Sequence, residues 1–494
     1  MTLIPKCMST QHPDNATAPP FAIDGVLKGE GEITEAVHVF QLGCDEQMWD
    51  SEGKEADNRV VQKLLTTHPN FFKSERHLGK DCMLTLRVPN PAIETEMRKS
   101  LVEALQSIPS AWDIAKEFYS ESTEPPIQEV ILPFTTSAEE LALVEAYYRK
   151  FIAGHEALPL AEGQTVRDWI GEFYPKQVRV IPLIEDREHM VNCDKVVGHY
   201  LKGRDLPYQR VFLARSDPAL NYGLVPAELM LKIGLSKLSR LEDQTGIPIY
   251  PIVGVGSVPF RGHLNPTNVE RTFREHPSIH TLTVQSAFKY DYDTDVVREG
   301  IQQILAHERG EAPMIDEARA MAIIAKCKDA YQAKVRELSP IVSKVASYVP
   351  KRRDRKLHVG LFGYGRSLDD AHDDGQQEVT LPRAIGFCAA LYSIGIPPEI
   401  LGLTALDADD LAFLKEVYPS MEEDLAVALR YANQYMVKDL LGDEYLQLSV
   451  KYANGVDRVH EGLTSAIWAA LDRDTTVNIP HYVEEAAALR HFLG

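Results

Sequence analysis

The sequence is poor in cysteine and has no paired cysteine motif. Its six cysteines are spread widely over 494 residues, and none forms a CxxC pair. Zinc ribbons, iron–sulfur clusters and disulfide frameworks all need cysteines at close or regular spacing. The sequence therefore disfavours these three classes of protein. The pattern indicates that the protein works in a reducing compartment, and we expect this compartment to be the cytoplasm.

Long apolar runs and signal-like segments are absent as well. No apolar run reaches the roughly 18 residues that a membrane-spanning helix requires. The first residues, Met1–Lys6, lack the apolar core of a secretory signal peptide. We therefore expect a protein that has no membrane partner.

Positive charge is in short supply. Lysine and arginine number 52 against 72 aspartates and glutamates, which gives a formal net charge of −20. Proteins that bind nucleic acid need a broad basic surface for the phosphates, and docking on an anionic membrane makes a similar demand. We expect neither partner, so an anionic substrate must be bound by a local cluster of arginines.

Two apolar runs end in acidic residues. Arg179–Ile184 precedes Glu185, Arg210–Ala214 is followed closely by Asp217, and a helix-like stretch, Glu188–Lys202, lies between the runs. A strand–helix–strand unit makes its two strands parallel, so both acids emerge at the same edge of one sheet. Paired carboxylates at that edge suit a hard cation such as magnesium. The alternative is that each acid caps the helix that follows it.

Six further strand-like runs, separated by helical patterns, bring the total to eight. They are Val37–Leu42, Met83–Val88, Glu129–Phe134, Ile249–Val255, His280–Gln285 and Leu357–Phe362. Strand and helix alternating eight times predicts an α/β fold, a closed (β/α)8 TIM-type barrel. An open doubly wound sheet is the competing fold, and the count of eight favours the barrel.

The intervals between the runs predict large helical additions to this barrel. A long insertion covers Met314–Val349, before the last predicted strand. The carboxyl-terminal residues are predicted as the helices Asp409–Val417, Glu422–Met436, Asp443–Ala453, Val459–Leu471 and Tyr482–Leu493. We therefore predict a single domain over residues 1–494, with the barrel at about 36–395 and an all-helical C-terminal extension at about 400–494.

Basic side chains follow several of the predicted strands. Barrels of this type have their active sites at the carboxyl ends of the strands. The basic residues expected there beside the two acids are Arg87, Arg261, Lys289 and Arg366. Arginine binds phosphate and carboxylate groups through two parallel hydrogen bonds, which favours a phosphorylated or carboxylated substrate. A surface ion pair is the alternative for any single arginine. The glycine-containing stretch Gly254–Gly262 matches neither a Walker loop nor the dinucleotide fingerprint.

The stretch Met8–Asn15 has no helical or strand periodicity. It contains His12, whose ring titrates near neutral pH and can transfer a proton. Pro13 biases the backbone of His12 toward extended geometry. By composition alone we expect an unstructured tail outside the core, in which this histidine has no role.

Several motifs in chain order carry a family resemblance. They are Met8–Asn15, Gly43–Asp50, Glu52–Glu55, Leu213–Pro218, Pro259–Gly262, Leu361–Ser367, Leu381–Ile385 and Gly395–Glu399. Together they resemble archaeal-type phosphoenolpyruvate carboxylase over most of the chain. The resemblance implies a carboxy-lyase that converts phosphoenolpyruvate and bicarbonate to oxaloacetate and phosphate with Mg²⁺ or Mn²⁺. Such a reaction replenishes the four-carbon acids of the tricarboxylic acid cycle.

The resemblance also implies roles for individual residues. Glu185 and Asp217 would bind the metal ion, which stabilises the enolate of pyruvate. The arginines expected around the phosphoryl group are Arg87, Arg261 and Arg366, and the first two are expected to be catalytic. His12 matches the histidine of the Thr-Ala-His-Pro motif in the larger enzymes and would take the proton of carboxyphosphate. The resemblance therefore reverses the expectation that composition gives for this stretch.

The family pattern is not matched everywhere. A lysine three residues after the metal-binding aspartate of the larger enzymes is replaced by Leu220, and part of their glycine-rich segment has no counterpart before Arg261. Lys289 and Arg383 are candidates to complete the substrate-binding set. The loop Leu368–Glu378 is a candidate lid that would keep water from the enolate.

Two other functions remain as alternatives. One is another lyase of the phosphoenolpyruvate/pyruvate barrel class, and the other is a catalytically silent relative that binds the ligand as a sensor. The family implies a homotetramer, for which the C-terminal helices are a plausible interface. By analogy with the larger enzymes, Leu493–Gly494 is a candidate to pack near the active site.

Overall fold

Eight parallel strands close into a barrel at the centre of the molecule. The structure is a computed structural model that describes residues 3–51, 57–94, 98–120, 124–160, 163–354 and 381–494. Each strand pairs with the next along the chain, and the last pairs with the first. The strands are β1 (Cys7–Ser9), β2 (Glu46–Asp50), β3 (Met83–Arg87), β4 (Ile127–Leu132), β5 (Arg179–Ile184), β6 (Gln209–Ala214), β7 (Ile249–Gly254) and β8 (Thr281–Val284). The predicted (β/α)8 barrel is confirmed.

Helices surround the barrel and continue beyond it. The α-helices are α1 (Glu30–Leu42), α2 (Val60–Thr67), α3 (Pro69–Ser74), α4 (Arg98–Tyr119), α5 (Ala138–Tyr147), α6 (Val166–Ile170), α7 (Arg187–Val191), α8 (Cys193–Leu201), α9 (Ser216–Tyr222), α10 (Leu224–Thr245), α11 (Val269–Glu275), α12 (Ser286–Tyr290), α13 (Thr294–Ala306), α14 (Glu317–Ala346), α15 (Ala384–Ser393), α16 (Ala408–Val417), α17 (Met421–Leu429), α18 (Gln434–Leu441), α19 (Asp443–Tyr452), α20 (Arg458–Asp472) and α21 (Ile479–Arg490). Short 3₁₀ helices cover Ala153–Ala157, Pro259–Arg261, Pro398–Ile400, Leu403–Ala405 and Thr476–Asn478, and a π-helical turn covers Tyr148–Ile152.

The first predicted strand is wrong. Val37–Leu42 forms the end of α1, which stops at Gly43, where φ is 114°. Short apolar runs do not distinguish a buried helix face from a buried strand. The true first strand, β1, has only three residues, and its Met8 pairs with Glu46 of β2 and with Thr283 of β8. The stretch expected to be a tail therefore supplies the strand that closes the barrel.

The second strand was missed because it is polar. Glu46, Gln47 and Asp50 of β2 are fully buried, so the strand does not show the apolar run of the others. The predicted strand Leu357–Phe362 lies outside the described residues, and the eight described strands close the barrel without it. The described strands thus run from residue 7 to residue 284, whereas the prediction placed the barrel at about 36–395. Helix α14 follows the last of these described strands.

The amino-terminal end of the barrel is filled by an ionic layer. Arg210 at the start of β6 donates to Glu46 through both Nη atoms, at 2.8 and 2.7 Å, and to Glu129 at 2.8 Å. All three side chains are at most 1% exposed. Buried charges are stable only when they are paired and hydrogen-bonded in this way. This layer therefore occupies the interior of the barrel at its amino-terminal end.

An apolar layer separates this ionic layer from the opposite end of the barrel. Its members are Met8, Met48, Ile131, Ile181, Leu183, Phe212, Ala214 and Ile252. They are contributed by six of the eight strands, as the inward-facing side chains of a packed TIM barrel are contributed by several strands. The barrel is therefore a solid support for the residues at the carboxyl ends of its strands.

The C-terminal residues form the predicted helical extension. The predicted helix Glu422–Met436 is divided in two, because α17 ends at Leu429 and Asn433 begins α18 by accepting the backbone N–H of Met436 at 3.3 Å. Helix α15 packs against α14, α20 and α21. Among the described residues no single helix is long and apolar enough to cross a membrane. Two consecutive helical segments, Ala384–Ser393 and Pro398–Ala405, reach that length and apolar character only when they are taken together, and the chain bends sharply between them.

Candidate active site

A cavity of about 430 Å³ opens at the carboxyl ends of the strands. Six of the eight predicted site residues line it, and they are His12, Arg87, Glu185, Asp217, Arg261 and Arg383. The other described polar or charged residues in the lining are Thr10, Arg215, Ser216, Thr283, Gln285, Ser347, Lys351, Arg352 and Arg353. The fold therefore brings two carboxylates and a group of cations to one place.

Neither of the two acids serves as a helix cap. The cap of α7 is Asp186, whose Oδ1 accepts the backbone N–H of His189 at 3.0 Å. Glu185, one residue earlier, instead accepts the backbone N–H of Phe134 through Oε2 at 2.9 Å. Asp217 lies in the first turn of α9, after the N-cap residue Arg215. The alternative of two capping acids is therefore wrong.

Asp217 has an electrostatic environment that favours a bound cation. Burial raises the pKa of its carboxyl group, and the guanidinium groups of Arg383, Arg261 and Arg87 lower it only in part, so the net shift is upward. Among the described residues no side chain donates a hydrogen bond to this carboxylate. A desolvated carboxylate to which no described side chain donates a hydrogen bond is available as a ligand for a hard cation.

Arg87 is held by a carboxylate in the adjacent strand. Its Nε and Nη2 donate to the two carboxylate oxygens of Asp50 at 2.8 and 2.7 Å. The backbone N–H of Asp50 in turn donates to Gln11 at 3.2 Å. This two-pronged geometry fixes the plane of the guanidinium group at the end of β3.

Arg261 connects four parts of the chain. Its guanidinium group donates to Ser216 Oγ at 3.0 Å, to Gln285 Oε1 at 2.6 Å and to the backbone oxygen of Gly494 at 2.8 Å. The carboxylate of Asp14 lies 3.5 Å from its Nη1. The side chain is only 2% exposed, so these contacts set its position at the edge of the cavity.

Residues Thr10–Thr17, called here the amino-terminal segment, are firmly attached to the barrel. Asp14 accepts the backbone N–H groups of Ala287 at 2.8 Å and Ser257 at 3.3 Å. Asp291 accepts those of Ala16 and Thr17 at 2.8 and 2.7 Å. The expectation of an unstructured tail is therefore wrong, because these contacts are made by single polar residues and leave no periodic pattern in the sequence.

His12 lies at the edge of the cavity within this segment. Its carbonyl oxygen accepts the backbone N–H groups of Asp14 at 3.1 Å and Ser286 at 3.2 Å. Its ring Nδ1 lies 2.9 Å from Thr10 Oγ1. Both the backbone and the ring of His12 are thus fixed by neighbours.

The remaining predicted residues differ in their positions. Lys289 is buried and does not line the cavity, because its Nζ donates to Ser9 Oγ at 3.0 Å, to the carbonyl oxygen of Thr10 at 2.9 Å and to Glu35 at 3.3 Å. Arg383 lines the cavity, and its guanidinium group makes no hydrogen bond to the described part of the chain. Arg366 and the candidate lid, Leu368–Glu378, lie outside the described residues.

The sequence contained a signal for further cations that the prediction missed. Lys351, Arg352 and Arg353 are three consecutive basic residues in an acidic chain, and all three line the cavity. Arg352 donates to the carbonyl oxygens of Asn15 and Ala16 at 3.3 and 2.6 Å. Arg353 is bound to glutamates of α1. Lys351 is exposed and has no ion pair within the described chain.

Comparison of the sequence with models of known protein families shows which family the chain belongs to. The model of the phosphoenolpyruvate carboxylase family matches residues 4–494. The chain belongs to this family. A phosphoenolpyruvate carboxylase of Methanothermobacter thermautotrophicus is 48% identical over 99% of this chain and 100% of its own length. A phosphoenolpyruvate carboxylase of Methanospirillum hungatei is 46% identical over the same shares of the two chains.

Solved structures add only a distant match. An aldolase/citrate lyase family protein from Burkholderia cenocepacia is 15% identical, covers 61% of this chain and 93% of its own, and gives a TM-score of 0.34. At this TM-score the match adds nothing to the barrel described above. The family resemblance found in the motifs is confirmed by the family model and by the curated phosphoenolpyruvate carboxylases.

Proposed function

We propose that this chain carboxylates phosphoenolpyruvate with bicarbonate to give oxaloacetate and phosphate. Membership of the phosphoenolpyruvate carboxylase family over nearly the whole chain supports the reaction. The observation that carries the proposal is the cavity itself, in which Glu185 and Asp217 lie among cations, including Arg383, which has no hydrogen-bonded partner in the described chain. A phosphorylated carboxylate bound with a divalent cation needs this combination of charges.

We propose that Glu185 and Asp217 hold Mg²⁺ or Mn²⁺. Among the described residues no group of three or more histidine, cysteine, aspartate or glutamate side chains is arranged around a metal position. Two carboxylates fit Mg²⁺, which usually takes one or two protein carboxylates and completes its coordination with water and substrate oxygens. When bound, the ion would supply positive charge beside the enolate oxygen as negative charge develops on that oxygen.

Two classes of cationic side chain would bind the phosphoryl group. Arg383 and Lys351 are available to the substrate directly, because neither donates a side-chain hydrogen bond to an acceptor in the described chain. Arg87 and Arg261 are held in place by protein acceptors, which fix the direction of their guanidinium groups. Preorganised donors of this kind stabilise transition-state charge without reorganising during the reaction. Arg366 is added to this phosphoryl-binding set because of its position in the family motif.

The proposed reaction places one proton transfer on His12. Bicarbonate oxygen attacks phosphorus, the bond from phosphorus to the enol oxygen breaks, and carboxyphosphate and the enolate of pyruvate result. His12 takes the carboxyl proton of carboxyphosphate, which then separates into carbon dioxide and phosphate. The enolate carbon attacks carbon dioxide and forms oxaloacetate. The apolar walls of the cavity, which include Phe134 and Phe212, help to exclude water from the enolate.

The decisive experiment measures phosphate release and oxaloacetate formation with each substrate omitted in turn. We expect both products only when phosphoenolpyruvate, bicarbonate and Mg²⁺ are present. The variant His12→Asn should lose at least about 100-fold in oxaloacetate formation, a usual contribution of general base catalysis, and still bind phosphoenolpyruvate. His189→Asn is the matched control, because this histidine of α7 lies outside the cavity and should leave the rate unchanged.

The alternatives give different results in the same experiment. Phosphate release without bicarbonate, or none at all with turnover of another enolate substrate, would favour a different lyase of the barrel class. Binding of phosphoenolpyruvate by an inactive wild type, with His12→Asn equally inactive, would favour a sensor. Either result would refute the carboxylase proposal.

We also propose a homotetramer in the cytoplasm. Six free, buried cysteines support a reducing compartment. The family resemblance implies the tetramer, and apolar side chains that are exposed in the single chain, among them Trp169 at 71% and Val477 at 91%, are candidate contacts between copies. Sedimentation velocity of the purified protein should give the mass of four chains, and a single-chain mass would refute the tetramer.

A further inference from the structure

Thr10 lies at the point where β1 passes into the amino-terminal segment. It is fully buried, its backbone N–H donates to the carbonyl oxygen of Val284 at the end of β8 at 3.0 Å, and its own carbonyl oxygen accepts from Lys289 Nζ at 2.9 Å. Both backbone groups are therefore occupied by neighbouring elements. Only the side chain of Thr10 remains for the cavity, which it lines.

That side chain faces the imidazole two residues later. Thr10 Oγ1 and His12 Nδ1 are 2.9 Å apart, a hydrogen-bond distance. The backbone of His12 is fixed independently by Ser286, whose N–H donates to the carbonyl oxygen of His12 at 3.2 Å. The hydroxyl therefore acts on the orientation of the ring, while other contacts fix the position of the main chain.

The state of Nδ1 determines what His12 can do. In neutral imidazole one nitrogen carries the proton and the other a lone pair. If Nδ1 donates its proton to Thr10 Oγ1, Nε2 keeps the lone pair that a base requires. If the hydroxyl donated to Nδ1 instead, Nε2 would carry the proton and could not act as a base.

We propose that Thr10 is a positioning residue whose hydroxyl accepts the Nδ1 proton of His12 and so presents the Nε2 lone pair to the cavity. This inference rests on the proposed role of His12 as the base. It goes beyond that role because it names the residue that selects the tautomer. No change in the protonation of Thr10 itself is involved.

The test compares two variants of Thr10 with a control variant of the preceding residue, Ser9. Thr10→Val keeps the shape of the side chain and removes the hydroxyl, whereas Thr10→Ser keeps the hydroxyl and removes a methyl group. Ser9→Ala removes the hydroxyl of the preceding residue, which accepts from Lys289 and does not line the cavity. Thermal unfolding of each variant shows whether the fold is retained.

The expected results separate positioning from packing. In Thr10→Val, kcat should fall by about 10- to 100-fold, part of the usual contribution of a general base, with KM for phosphoenolpyruvate little changed. Thr10→Ser and Ser9→Ala should stay within about threefold of wild type, well under that contribution. An unchanged kcat in Thr10→Val, or an equal loss in Thr10→Val and Thr10→Ser, would overturn the proposal.

A second measurement does not depend on activity. Nitrogen-15 NMR of histidine-labelled protein, with the His12 signal identified by its loss in His12→Asn, reports the tautomer directly. We expect protonated Nδ1 in wild type and Thr10→Ser, and a shift toward protonated Nε2 in Thr10→Val. The same tautomer in wild type and Thr10→Val would refute the proposal. If the wild type has the expected tautomer but shows no bicarbonate-dependent phosphate release, the proposed function fails and the positioning of His12 stands.

Discussion

The backbone oxygen of Gly494 accepts a hydrogen bond of 2.8 Å from Nη1 of Arg261. The residue is packed so closely that a β-carbon on it would overlap the carbonyl oxygen of Ile385 and lie 2.6 Å from the backbone nitrogen of Ala389. Its neighbour Leu493 lines the cavity, as the analogy with larger enzymes led us to expect. One end of the described chain therefore supports an arginine of the candidate active site.

Gly494→Ala should lower kcat by about 5- to 100-fold, because displacing residue 494 removes one acceptor from a buried arginine, a loss of about 1–3 kcal/mol. The midpoint of thermal unfolding should fall as well, because the β-carbon would displace residue 494 from α15 and leave a buried donor of Arg261 unpaired in the folded protein. Steady-state kinetics and differential scanning calorimetry measure the two effects. Gly462→Ala is the control, because a β-carbon there meets nothing within 4 Å. Equal kinetics for the two variants would show that Gly494 has no influence on Arg261.

Lys351→Gln should raise KM for phosphoenolpyruvate about three- to tenfold at low salt, because an exposed cation at the cavity attracts an anionic substrate. The difference from wild type should shrink as salt rises toward 0.5 M, since the screening length then falls to a few ångströms, below about 8 Å. Lys344→Gln, on the exposed side of α14, provides a control with the same change of charge. A KM that rises equally in both variants would indicate an effect of net charge alone.

Asp217→Asn should weaken Mn²⁺ binding by at least about tenfold, because the amide has no negative charge for the cation. Isothermal titration calorimetry or the electron paramagnetic resonance signal of free Mn²⁺ gives the affinity, and a chelator should abolish phosphate release by the wild type. Asp186→Asn tests the neighbouring acid, which caps α7. Asp186→Asn should lower the free energy of unfolding by up to about 1 kcal/mol and should still bind Mn²⁺. Full Mn²⁺ affinity in Asp217→Asn would refute the assigned metal site.

Glu399→Gln should flatten the pH dependence of stability. Glu399 is fully buried, and its Oε1 accepts from the backbone N–H of Phe260 and from Tyr392 Oη, both at 2.8 Å. Burial raises the pKa of its carboxyl group to about 7. The folded protein thus keeps a proton between about pH 4.5 and 7 that the unfolded chain has lost, so this group's contribution to stability falls as pH rises through that window.

The predicted slope from this group is at most about 1.4 kcal/mol per pH unit. Urea unfolding at several pH values from 5 to 8 gives the free energy of unfolding for wild type and Glu399→Gln. The variant should be relatively more stable at pH 8 than at pH 5, because glutamine cannot ionise. Parallel curves for the two proteins would mean that Glu399 is ionised in the folded state throughout this range.

The barrel and most of the cavity could be predicted from the sequence, because long apolar strands and their polar ends leave strong local patterns. Six strand-like runs correspond to β3–β8, and they place Glu185 and Asp217 together. The pattern failed where polar residues are buried by partners from distant parts of the chain. Glu46 of β2 lies inside the barrel only because Arg210, 164 residues later, pairs with it.

The same limit applies to individual site residues. No local pattern distinguishes Arg87, which Asp50 holds at the cavity, from Lys289, which Ser9, Thr10 and Glu35 hold away from it. Both are basic residues near the end of a strand in an acidic chain. Only the folded positions of their acceptors separate a cation at the cavity from one that supports β1.

The closing strand of the barrel has a consequence for synthesis of the chain. Thr281 donates a hydrogen bond to the carbonyl oxygen of Pro5, 276 residues away, and β1 finds its second partner only in β8. At about 5–20 residues per second, the ribosome makes β8 on the order of 15–60 s after β1. Until then the nascent chain cannot bring His12 to the cavity, although Glu185 and Asp217 have already been made. A segment that is made before the other strands is thus among the last to reach its place.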